Sequence, residues 1–230
     1  MGRPNHYSIE LPARCQALIE QYADCIAVDV ALADRFRGPL MTTFVLAMAT
    51  PMLILPIERI YRPVSGDTSG VADDQALDPH LAKRVEKVVG GGRTFGAAPF
   101  FTAGAWRYVA SCDVFPVGGD WPSDRLDMLA SEEAATAAQG APASDVLWGL
   151  RHSLAHGGIT YLDRNGRQQL DATSMLGFVS FVTGTKRQQV RLIRVGVEDF
   201  RTFLSRWAAW LAEVGIQDAL EEPGFFKAAE

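Results

Sequence analysis

The stretch Leu150-Arg151-His152-Ser153-Leu154-Ala155-His156-Gly157-Gly158-Ile159-Thr160-Tyr161-Leu162-Asp163 marks where the chain changes character. Before it, Val146, Leu147, Leu150 and Leu154 recur at helical spacing, after a break at Gly140-Ala141-Pro142. Ser144 or Asp145 is the expected N-cap, and Gly157-Gly158 the stop. Beyond it, Ile159–Leu162 reads as a β segment. The Asn165-Gly166 dipeptide that follows signals a hairpin.

Upstream, the pattern is helical. Leu18, Ile19, Tyr22, Ile26, Val30 and Ala33 predict one long helix over 11–36, punctuated by Gly38-Pro39. Residues 38–57, GPLMTTFVLAMATPMLILPI, carry no charge. About 20 apolar residues can span a bilayer. Thr42, Thr43, Thr50, Pro51 and Pro56 interrupt this run, so a buried core helix bent at Pro51 is the expectation. It ends in Glu58-Arg59-Ile60-Tyr61. A polar loop over 62–77, a helix over about 79–89 stopped by Gly90-Gly91-Gly92, and a helix over 123–138 capped by Ser123 follow. The aromatic, glycine-punctuated stretch from Phe95 to Trp121 carries no assignment.

Downstream, residues 175–183 and 188–195 read as strands around a Gly184-Thr185 turn. Phe200, Phe203, Leu204, Trp207, Trp210, Leu211 and Val214 then form a helical core stripe over about 197–214. The 230 residues read as one domain: a helical core over about 8–158, a β-rich insertion over about 159–195, and the C-terminal helix.

With 48% hydrophobic residues, wholesale disorder is excluded. The three cysteines, Cys15, Cys25 and Cys112, form no CxxC pair, so neither a disulfide framework nor a zinc knuckle is indicated. No signal-peptide layout stands at the N-terminus, and a cytoplasmic protein without membrane association is expected. The net charge of −5 argues against a surface that is basic all over. It conceals a division. Residues 164–206 hold eight Lys/Arg against three Asp/Glu, a net of +5, while the rest holds 14 against 24. A localised basic surface beside the 150–158 segment is therefore allowed, although a solvated face is the commoner meaning of such a run.

Chemistry concentrates in that segment. Arginine keeps its charge and offers phosphate a planar fork of donors. Histidine exchanges protons near neutrality. Together they are a minimal kit for metal-free RNA cleavage: a base activates the ribose 2′-OH, and a cation stabilises the charge building on phosphorus. The product is a 2′,3′-cyclic phosphate. His152 and His156, four apart, share a helix face. Arg151 and His156, five apart, diverge by about 140° on an ideal helix. They converge if the helix frays at Gly157 or if a second copy of the chain supplies the partner residue.

The segment RHSLAH fits the Arg-x4-His motif of the HEPN superfamily, and LRHSLAHGGITYLD resembles a branch of it found in plasmid and defence contexts. The layout of a long helix followed by the apolar LAMATPMLILPIERI agrees, and the resemblance covers about residues 8–215. It implies a mainly α fold, a HEPN-like helical bundle, here with a small antiparallel β-hairpin or meander before the C-terminal helix. It implies a homodimer whose two motifs face one cleft. It also implies a metal-independent endoribonuclease acting on RNA without cofactor, in a toxin–antitoxin or phage-defence setting with an antitoxin or nucleotidyltransferase as partner. Arg151 would hold the phosphate, and His156 would act as base or acid. His152 stands where Asn or Asp is commoner, as a second acid or a hydrogen-bonding support.

Other readings stand beside this one. Family members also include catalytically silent protein- or nucleotide-binding modules. An Arg–His cluster can simply satisfy helix-end carbonyls. A metal site at His152 and His156 lacks the glutamate of HExxH and a third ligand. Gly90–Gly96 lacks the Gly-Lys-Ser/Thr ending of a P-loop, and no Gly-x-Ser-x-Gly elbow is present.

Overall fold

A computed structural model describes residues 6–36, 38, 40–61, 79–168, 173–182 and 188–221. The polar loop expected at 62–77 and the Gly184-Thr185 turn lie outside the described residues. Among these residues the α-helices are α1 (Tyr7–Ala27), α2 (Val30–Phe36), α3 (Met41–Pro56), α4 (Pro79–Val89), α5 (Ser123–Ala130), α6 (Glu132–Gly140), α7 (Ala143–His156) and α8 (Val197–Glu221). The strands among them are β1 (Trp106–Asp113), β2 (Ile159–Leu162), β3 (Met175–Phe181) and β4 (Gln189–Gly196). They form one antiparallel sheet in the order β1-β4-β3-β2.

The sheet corrects the expectation of a helical bundle carrying a small hairpin. The fold is mixed α/β, though mainly helical, and the sheet is its middle layer. The strand that makes the difference is β1, from the stretch left without assignment. Trp106 and Tyr108 enter one core while Val109 and Cys112 border another, so both faces carry apolar residues and no simple alternation shows. An irregularity between Val109 and Cys112 shifts the register as well.

On one face of the sheet lie α7 and α8, with α1 and α3 packed beyond them. This is the main core. It includes an aromatic cluster of Phe95, Phe100, Trp106, Phe203 and Trp207 in largely edge-to-face contact. The other face is covered by α5 and by Phe115 and Trp121, around Leu162, Val179, Val190 and Leu192. The expected stripe of the last helix is buried as read, from Phe200 to Val214.

The uncharged run forms α3, extended by one turn of π-helix over Ile57–Tyr61. Met41–Tyr61 is long and apolar enough to cross a membrane. In this fold it packs inside the core, with Val45, Ala49, Met52 and Leu53 fully buried. Pro56 has no N–H, so the Met52 carbonyl loses its helical donor. The Trp207 indole N–H supplies one instead, at 2.8 Å. The wider π turn follows at once.

Several local expectations shift. The helix read over 11–36 is two helices, α1 and α2, parted at Val28 and Asp29. That read over 123–138 is also two, parted at Ser131, whose Oγ caps α6 by accepting from the Ala134 N–H. Ser123 is not a cap, since Pro122 holds that position. Nor is Ser144 or Asp145, since Pro142 precedes α7. The Asn165-Gly166 turn is present, with Gly166 at φ 75° and Asp163 Oδ1 accepting from the N–H groups of Asn165 and Arg167. Among the described residues it returns one bridge, Leu162 to Gln168, while β2 takes β3 as its ladder partner.

Candidate functional site

The orientation of α7 is set by two close approaches to the sheet. A Cβ at Gly149 would fall 2.8 Å from Ile193 Cδ1, and one at Gly158 would collide with the Val179 carbonyl oxygen. Between them, the buried Ser153 Oγ lies 2.8 Å from both Gly149 O and Val179 O. Gly157 ends the helix at φ 73°, a left-handed conformation that glycine adopts without penalty. At the other end, Arg191 on β4 holds Asp145 through both its carboxylate and its backbone carbonyl, each at 2.9 Å. With Gly149 and Ser153 against the sheet, Trp148, His152 and His156 at steps of four share another face.

These three side chains form a ladder. Tyr61, from the π turn, meets Trp148 edge-on with ring centroids 6.2 Å apart. Trp148 is 5.9 Å from His152, and His152 stacks on His156 at 5.5 Å and 30°. His156 is exposed and His152 half-buried. Burial pushes the His152 pKa down from its ordinary 6.5, and the charges of Arg151 and His156 push it further the same way, against an opposing pull from Glu58. The lowered pKa favours the uncharged imidazole, the form that accepts a proton.

Arg151 turns elsewhere. Its guanidinium pairs with the Glu58 carboxylate and lies 5.7 Å from the centre of the Trp148 ring. Both charged side chains are mostly buried, at 16% and 20% exposure. The Arg151 Nε–H is buried and has no hydrogen-bond partner. Of the three residues singled out from sequence, the structure brings His152 and His156 together. It draws Arg151 toward Glu58 instead. The helix holds through His156 before Gly157 turns it, so the fray that would converge Arg151 and His156 within one chain does not occur.

Sequence reasoning missed Glu58, Tyr61 and Trp148. Trp148 stands four residues before His152, so its place in the ladder was readable from spacing. Glu58, the acid that ends the uncharged run, owes its position to the π turn after Pro56, which spacing does not reveal.

Among the described residues, most of the basic segment does not assemble beside the motif. Arg167 pairs with Asp127, Arg201 with Asp24 and Glu198, and Arg194 is buried on the opposite sheet face. Among the described cations of this segment, Arg191 is the one whose charge reaches His152. Lys186 and Arg187 lie outside the described residues. Among the described residues no cluster of three metal-ligating side chains occurs.

No protein-family model, no curated protein and no solved structure matches the chain.

Proposed function

We propose that the chain is a metal-independent endoribonuclease of the HEPN type, acting in a toxin–antitoxin or phage-defence setting. One observation carries this reading: two stacked imidazoles, one half-buried with its pKa pushed down by that burial and one exposed, at the end of the helix that also bears Arg151. His152 takes the proton of a ribose 2′-OH, and the 2′ oxygen attacks the adjacent phosphorus. The P–O5′ bond breaks, and the leaving 5′ oxygen takes a proton from His156. The products are a 2′,3′-cyclic phosphate and a 5′-OH. Arg151 meets the charge on the phosphoryl oxygens. Arg151 and His156 leave α7 in different directions, so the proposal includes a homodimer in which a second copy completes the cleft.

RNA incubated with the protein in EDTA tests this. Wild type should cut, and His156→Ala and His152→Ala should each lose at least about 100-fold in rate, the usual size of a general acid–base contribution. Equal cutting by His156→Ala would overturn the assignment.

A second reading has its own support. The Arg151–Glu58 pair already occupies the cation, as it would in a silent binding module. On that reading the dimer and the binding partner survive Arg151→Ala, and no RNA is cut.

A further inference from the structure

Among the described residues, Arg194 is a buried cation with no paired anion. It sits on β4, on the sheet face turned away from α7, with 8% exposure. Its strand partners are Arg107 on β1 and Gly177 on β3, and Thr160 on β2 extends the row. Among the described residues no carboxylate pairs with the Arg194 side chain, and no hydrogen bond reaches it. The guanidinium instead packs on the backbone of Gly166, where any Cβ would collide with Nη1.

Arg107 adds a second cation to the same row. Its Nη1 donates to the Gly104 carbonyl at 2.8 Å, and its Nη2 lies 3.7 Å from Glu132, a carboxylate that is 88% exposed. The Arg107 Nε–H is buried without a partner. Like charges directly opposite on neighbouring strands repel. A buried, unpaired cation is expensive as well. An arrangement that carries both penalties is relieved by an anion between the two guanidinium groups.

We propose that Arg194 and Arg107 form a receptor for a single phosphoryl group. A phosphate monoester carries about −1.5 to −2 charges, which matches two guanidinium groups better than one carboxylate does. Planar guanidinium forks also suit phosphate oxygens. Gly166 keeps a Cβ away from the flank of Arg194. Gln168, whose Nε2 donates to Thr160 Oγ1 at 2.7 Å, closes the far end of the row. The receptor lies across the sheet from the histidine ladder and does not depend on the nuclease reading.

The test is thermal melting and calorimetric titration of the full chain with inorganic phosphate, and with acetate and chloride at equal ionic strength. Phosphate should raise the Tm saturably, and acetate and chloride should not. Arg194→Met should weaken phosphate binding at least tenfold. It should also melt no lower than wild type in chloride, because it removes an unpaired buried charge. Arg107→Gln should weaken phosphate binding too, and it carries the comparison if Arg194→Met does not fold. The proposal is overturned if wild type melts alike in phosphate and chloride, if acetate acts as phosphate does, or if the variants respond as wild type.

Discussion

The Arg151 guanidinium is held by the Glu58 carboxylate, across the junction between α7 and the π turn that ends α3. Removing Glu58 leaves the Arg151 charge mostly buried and without its carboxylate. Glu58→Gln should lower stability by about 2 kcal/mol, between the values for exposed and fully buried pairs. Glu58→Leu with Arg151→Leu should lose less than the two single changes summed. Denaturant unfolding of this double-mutant cycle measures the coupling. Additive losses would show that the contact contributes nothing.

His152 sets a pH dependence with a definite sign. Its folded pKa is depressed below 6.5, so the unfolded chain binds this proton first as the pH falls. The stabilising contribution is complete above 6.5 and is lost as the pH drops through that value to the folded pKa. His152→Gln should flatten the wild-type Tm decline in this window. A variant that declines as steeply as wild type would place the cause elsewhere.

Two adjacent glycines should behave differently. Gly157 has open space around it but a φ of 73°, so Gly157→Ala should lose about 1 kcal/mol from conformation alone. Gly158 faces the Val179 carbonyl oxygen, so Gly158→Ala must push α7 off β3 and should lose about 3 kcal/mol. Equilibrium unfolding of both ranks them. The reverse order would contradict the packing described.

Trp207 and Pro56 are linked through a third group, the Met52 carbonyl. Trp207→Phe leaves that acceptor buried and unpaired, which costs about 2 kcal/mol. Pro56→Ala restores a backbone N–H four residues on. In that background the loss from Trp207→Phe should shrink. An unchanged loss would mean that the tryptophan acts only through its bulk.

Much of this fold was legible where one period dominated. The α8 stripe, the α7 stop at Gly157, and the β3 and β4 segments follow from spacing that packing did not override. Strand β1 was not legible. It contributes to two cores at once, and its pairing with β4 joins residues some eighty positions apart. The helix caps failed for a related reason: Pro122 and Pro142 took positions that a polar side chain was expected to fill. At the site, the histidine pair was readable from its spacing of four. The diversion of Arg151 to Glu58 was not, because it depends on a π turn created by Pro56 in a distant segment.

The nature of the RNA ends tests the central claim most directly. RNA treated with wild type in EDTA should carry 2′,3′-cyclic phosphate and 5′-OH termini, detected by mass spectrometry of the fragments. Those termini should vanish with His152→Ala and with His156→Ala in variants that melt as wild type does. Fragments ending in 3′-OH and 5′-phosphate, or cyclic ends formed equally by both variants, would contradict the account.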